Sequence, residues 1–246
     1  MDISKYQAYA DQHLGGFTDI NLLVTAFTHR SYINEHKKTA AEHNERLEFL
    51  GDAVLELVVT QHLYNNYKEP EGILTNWRSA LVRTESISAA SEREGFEPLL
   101  RLSRGEKRAN SARAREQILA NVYEAVTGAI YLEKGYEAAK EFIERTLLPM
   151  LPQILETGAW LDPKSRLQEA VQSQEGFTPV YKVLSEEGPD HDKTFVVGVF
   201  VNNELKGQGT GPSKQVAQVA SAGAALKTYG VKAPAAKPQE AEQITP

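Results

Sequence analysis

Asn44-Glu-Arg-Leu-Glu-Phe-Leu-Gly-Asp-Ala-Val-Leu-Glu56 decides how the rest of this 246-residue chain is read. Glu45, Glu48, Asp52 and Glu56 recur at steps of three, four and four residues, so at 3.6 residues per turn they climb one face of a helix. Leu47, Leu50, Val54, Leu57 and Val58 keep the same period on another face, which predicts an amphipathic helix with a carboxylate ridge. Gly51 lies inside it. A mid-helix glycine costs about 1 kcal/mol against alanine, so a very close packing neighbour is expected there. A solvated acidic face has the same spacing, but Arg46 is the only base in the run, and like charges one turn apart repel. An uncompensated carboxylate stripe suits a hard divalent cation, which takes oxygen ligands and keeps several waters.

Working outward, the length allows one large or two small domains with a proper core. The absence of cysteine excludes disulfides, thiolate zinc sites and a cysteine nucleophile. The opening residues lack the charged and apolar regions of a secretory leader, and no apolar run approaches the ~20 residues that span a bilayer. A soluble cytoplasmic protein is expected. The net charge is −6, and residues 156–229 hold seven Lys and Arg against nine Asp and Glu, so any nucleic-acid contact must come from local placement of bases.

Residues 3–12 and 19–27 read as short helices, the second capped by Thr18 or Asp19 and carrying Leu22, Leu23, Ala26 and Phe27 inward. His29 has no paired ligand at metal spacing and reads as fixing a turn. Residues 35–43 are polar and loop-like, the acidic helix runs on to about Tyr67, and Pro70-Glu-Gly72 breaks it. Helix continues over 73–93 through Leu74, Trp77, Leu81 and Val82. Residues 101–115 carry Arg101, Arg104, Lys107, Arg108, Arg113 and Arg115 with little apolar period, as a solvated loop does and as a loop following a phosphate backbone does. The helix over 115–133 is apolar at Ile118, Val122, Ala125, Ala129 and Leu132, carries Asn121 and Glu124, and is closed by Gly135. After a last helix ending near Leu155 the period changes. Residues 164–174 are helical, 179–184, 195–201 and 204–209 alternate as strands, Asn202-Asn203 makes a tight hairpin, and 214–229 is helical again. The expected fold is an all-α domain over 1–155, a linker over 156–161, an α-β-β-β-α domain over 162–229 and a disordered tail over 230–246.

With these elements in place the chain resembles bacterial ribonuclease III over about residues 1–229. The resemblance rests on Asn44 to Asp52, Ala26-Phe-Thr-His-Arg-Ser-Tyr32, Leu81-Val82 and Arg115-Glu-Gln-Ile-Leu-Ala-Asn-Val-Tyr-Glu-Ala125. It implies magnesium, with manganese as a substitute, held by Glu48, Asp52, Asn121 and Glu124. Glu45, Asp52 and Glu124 would be the catalytic acids, Glu45 lying near the cleaved bond. The implied reaction is hydrolysis of double-stranded RNA to 5′-phosphate and 3′-hydroxyl ends, in processing of rRNA precursors and structured transcripts. The resemblance also implies a homodimer in which Phe49 plugs into the partner. It makes residues 162–229 a double-stranded RNA-binding domain, with minor-groove contacts at Gln168, Glu169 and His191 and a phosphate grip at Ser213 and Lys214.

Two residues depart from the family pattern. Asn121 stands where the family usually has aspartate, so an amide oxygen replaces a charged ligand and weaker magnesium binding or slower cleavage is expected. Gln215 stands where a second lysine is common, which removes one phosphate contact. Asn121 also motivates a competing reading: a double-stranded RNA-binding protein whose weakened or inactive nuclease domain serves as a dimer scaffold. A phosphohydrolase of small nucleotides is a third reading, but the chain has no glycine-rich phosphate loop.

Overall fold

The computed structural model describes residues 3–36, 42–108, 111–158, 160–189 and 193–231. The chain divides into two compact units, the first running to Ile154 and the second starting at Leu155. The first unit holds α1 (Ser4–His13), α2 (Ile20–Ala26), α3 (Arg30–Glu35), α4 (Glu45–Asn66), α5 (Glu71–Leu81), α6 (Thr84–Arg93), α7 (Arg104–Arg108), α8 (Ala112–Lys134) and α9 (Tyr136–Thr146), and α10 (Leu151–Thr157) crosses the division. No helix among the described residues is long and apolar enough to cross a membrane.

α8 is the axis of the first unit. Almost every residue from Ile118 to Ile130 is buried except Asn121 and Glu124, and a helix apolar nearly all round belongs in a core. It packs on α4, α6, α9 and α2, most extensively on α4. Ser111 caps its start by accepting from Ala114 N, and Gly135 ends it at φ 82°. Tyr9, Phe27 and Phe96 pack edge-on to one another beside it, and Phe96 meets Tyr123 of α8 at a tilt.

The α4–α8 crossing is made of two glycines. A Cβ on Gly51 would lie 1.7 Å from the carbonyl oxygen of Glu124, and one on Gly128 would lie 2.4 Å from the carbonyl oxygen of Leu47. Only two hydrogens fit there. The close neighbour expected of Gly51 is therefore the backbone of Glu124 itself.

The start of α4 is tied down through the segment before it. Asn44 N donates to Thr28 O at 2.9 Å, and Arg101 N donates to Phe27 O at 2.9 Å while His29 N donates to Arg101 O at 3.1 Å. Arg101 is buried, donates to Thr28 Oγ1 and lies over the Tyr32 ring. The reading of 101–115 as one basic loop is thus corrected. Arg101 is a core strut, 104–108 form α7, and Arg113 and Arg115 ride on α8, the latter paired with Glu97. Two further corrections concern helix faces: Leu57 and Leu132 point outward, 57% and 56% exposed. The single helix expected over 73–93 is two, broken where Val82 and Arg83 leave helical geometry and Ser86 Oγ donates back to Ala80 O.

In the second unit, β1 (Val180–Glu187), β2 (Thr194–Val201) and β3 (Glu204–Gly211) form an antiparallel sheet in that order. α11 (Pro163–Glu175) and α12 (Lys214–Thr228) cover one face, burying Leu167, Val171, Val199, Val201, Ala222 and Ala225. Asp162 caps α11 and Ser213 caps α12. Asn202 and Asn203 both have positive φ, 48° and 66°, the pair of left-handed residues that a two-residue hairpin requires. Gly207 and Gly209 let β3 lie against the small residues of α12: an added Cβ would come within 2.5 Å of Ser221 O or 2.2 Å of Ser221 N.

Candidate active site

The glycine crossing puts acids from two distant parts of the chain together. Glu48 and Asp52 sit one turn apart on α4, each next to a residue of the crossing, and Glu124 contributes the carbonyl that Gly51 touches. Their charges act on one another. Burial raises the Glu124 carboxyl to about 8, with Asp52 and then Glu48 adding to the rise. Burial also raises Glu48, helped by Glu45 and Asp52. Burial and neighbouring negative charge act in the same direction on both groups, an environment that disfavours the ionised carboxylate.

That linkage has a sign. A carboxyl raised by folding contributes stability that is complete below its unfolded value near 4.5 and is lost as pH rises through its folded value of about 8. In chelator, native protein should lose melting temperature between pH 5 and pH 8 relative to Glu124→Gln, which lacks the titrating group. Parallel pH profiles for the two proteins would remove the assigned cause.

Asn121 lies one turn before Glu124 on the same helix, and its Oδ1 accepts from Gln117 Nε2 at 2.7 Å. Glu45, at the start of α4, is half-exposed and paired with Arg30 at 3.4 Å, with His43 Nδ1 3.8 Å away. His29 does what a turn-fixing histidine does. Its Nδ1 lies 2.8 Å from Ser31 Oγ and caps α3, while Ser103 N donates to the same hydroxyl at 3.1 Å. Burial lowers its pKa first, against the raising effect of Glu106 and Glu45. Glu56, one turn after Asp52, pairs with Arg78 at 2.9 Å.

Donor chemistry fits a hard cation: three carboxylates and an amide, all offering oxygen. Among the described residues no three His, Cys, Asp or Glu side chains close into a ready-made metal cage. Magnesium does not require one, since one or two protein carboxylates with retained waters usually hold it.

Phe49, beside Glu48, is 82% exposed, and Tyr64 further along α4 is 76% exposed. Phe49 forms one side of a groove of about 770 Å³ whose lining also includes Leu22, Thr25, Glu45, Arg46, Leu50 and Leu132. In the second unit Gln168 and Glu169 are exposed on α11, and Gln168 borders a cavity of about 460 Å³ shared with Ser165, Lys164, Tyr181 and Gln215. Lys214 is exposed and paired with Glu186 at 2.9 Å, and Ser213 Oγ accepts from Val216 N as the α12 cap. His191 lies outside the described residues.

Three residues of the first unit were not anticipated from sequence: Gly128, Gln117 and Arg30. Gly128 carries the same mid-helix glycine signal as Gly51. Gln117 precedes Asn121 by the four residues that put two side chains on one face. The Arg30–Glu45 pair has no short-range signal, because the start of α4 is joined to the segment before α3 by the Asn44 N to Thr28 O bond, between residues far apart in the chain.

A family model for ribonuclease-III-like proteins matches residues 19–151, and one for the double-stranded RNA binding motif matches residues 163–229. Ribonuclease 3 of Enterococcus faecalis is 44% identical over 216 residues, covering 86% of this chain and 92% of that protein. Ribonuclease 3 of Oceanobacillus iheyensis is 43% identical over 221 residues, covering 88% and 95%. Among solved structures, the nuclease domain of ribonuclease III from Campylobacter jejuni, described for flexibility in a region involved in its dimer formation, aligns with a TM-score of 0.50. It is 35% identical, covering 61% of this chain and 99% of that one.

Proposed function

Because the chain belongs to the ribonuclease III family, and is therefore an endoribonuclease, we propose that it hydrolyses double-stranded RNA with magnesium held by Glu48, Asp52, Glu124 and Asn121. The observation that carries this reading is the crossing at Gly51 and Gly128, which brings carboxylates from α4 and α8 into mutual repulsion in a half-buried site. Bound there, magnesium or manganese would supply an activated water and neutralise charge on the attacking and leaving oxygens. The protein's own part is to fix the donors. α4 holds Glu48 and Asp52 in register, the Glu124 backbone is clamped by Gly51, and Arg30 pairs with Glu45, which would lie beside the RNA strand. Products would carry 5′-phosphate and 3′-hydroxyl ends, and rRNA precursors and structured transcripts are the substrates that family membership suggests.

Capture of the duplex falls to the second unit. Gln168 and Glu169 on α11, with His191, would meet the minor groove. Lys214 at the start of α12 would grip a phosphate, exchanging Glu186 for RNA. Recognition by shape and backbone fits a unit with few bases. The division of the chain between Ile154 and Leu155 would separate cutting from capture.

Two copies would be needed to cut both strands. Phe49 is too exposed for a side chain of its size to be settled in a monomer, and the groove beside it would receive the same residue of a second copy, as a two-fold contact requires. Sedimentation should show a dimer for the native protein and a monomer for Phe49→Asp. A Phe49→Asp dimer of native stability would place the contact elsewhere.

The neutral Asn121 favours one other reading, a duplex-binding scaffold with weak or no cleavage. Incubation of a long RNA duplex with the protein and magnesium separates the two. Short duplex products with 5′-phosphates support the nuclease, and retention of the duplex in an intact complex supports the scaffold.

A further inference from the structure

We propose that Gln117 is a positioning residue for Asn121, deciding which end of its carboxamide faces the cation. The inference rests on the reading of Asn121 as a ligand and adds a residue to it. An aspartate has two equivalent oxygens, so half a turn about its last bond changes nothing. An asparagine has one accepting and one donating end, and the wrong orientation presents N–H hydrogens to a positive ion. Replacing the family's aspartate by Asn121 therefore loses orientation as well as charge.

Gln117 restores the orientation. It lies one turn before Asn121 on α8, and its Nε2 donates to Asn121 Oδ1 at 2.7 Å. If the Asn121 amide alone turned over, two NH₂ groups would face each other, so the two amides must turn together or not at all. The two amides thus turn as one unit, and here that unit has Asn121 Oδ1 as its acceptor. Gln117 carries no charge and is exposed, so its removal changes neither the summed charge of the site nor the core. Outer groups that orient a ligand in this way are worth on the order of tenfold in metal affinity.

A double-mutant cycle tests this, with Gln117→Met built into the native chain and into Asn121→Asp. Two readouts are taken: the rise of melting temperature with magnesium in the absence of RNA, and the magnesium concentration that half-saturates duplex cleavage. Gln117→Met should raise the half-saturating magnesium on the order of tenfold in the Asn121 protein and less than about twofold in Asn121→Asp, because aspartate needs no orienting. Equal effects in both backgrounds, or none in the native one, would overturn the inference while leaving the cation site standing. A native protein whose melting temperature does not respond to magnesium would overturn the cation reading and the role of Gln117 with it.

Discussion

Glu124→Gln should lower the rate of duplex cleavage by about a thousandfold or more while leaving duplex binding within about twofold of native. A bound metal acting on the reacting oxygens supplies several kcal/mol of transition-state stabilisation, and each 1.36 kcal/mol is tenfold. Glutamine keeps the size of the side chain and one oxygen but removes the charge. Folding should not suffer, since the native carboxyl is raised to about 8 by burial and by Asp52 and Glu48, so the substitution removes a group that folding already strains. At pH 8 in chelator the variant should melt above native. Duplex binding persists because Gln168, Glu169 and Lys214, the proposed contacts, belong to the second unit. Cleavage within tenfold of native would remove Glu124 from the site.

The second large effect falls on Gly51. Gly51→Ala should destabilise the first unit by about 3 kcal/mol, the upper end of what overpacking a core costs, which lowers melting by roughly 6–12 °C for a unit of this size. The added Cβ would stand 1.7 Å from the Glu124 carbonyl oxygen, and two backbones cannot yield as a flexible side chain can. α8 must move, and Glu124 moves with it. Cleavage should therefore fall even at temperatures where the variant stays folded. Gly72, in the first turn of α5, is the matched control: a Cβ there meets nothing within 4 Å. Gly72→Ala should be neutral or stabilising by up to about 1 kcal/mol from helix propensity. If both alanines behave alike, the crossing is looser than the structure has it.

The helix that bears Glu48 and Asp52 was legible because acids and leucines kept one period over thirteen residues, and its glycine was legible as a contact. The hairpin at Asn202-Asn203 was legible for a similar reason, since few residues other than glycine and asparagine accept two consecutive left-handed positions. What lies opposite Gly51 was not. Glu124 is more than seventy residues away, and nothing local to either helix says that they cross at these two turns. Only the family resemblance joined them. Period alone also sent Leu57 and Leu132 inward, whereas both are exposed: the buried arc of α4 takes in Leu55, Val58 and Val59 and leaves Leu57 out, and Leu132 on α8 borders the groove beside Phe49. Arg101 misled for the opposite reason: its charge suggested solvent, but a hydrogen bond to Thr28 and the face of Tyr32 make burial affordable.

On the proposed reading, α4 and α8 together form one cation site across the glycine crossing. Titrating the RNA-free protein with manganese and following the free-ion electron paramagnetic resonance signal measures that site without any step of catalysis. Saturable binding that magnesium displaces, weakened more than tenfold in both Asp52→Asn and Glu124→Gln, is the predicted result. Manganese binding that is the same in native protein, Asp52→Asn and Glu124→Gln would contradict it.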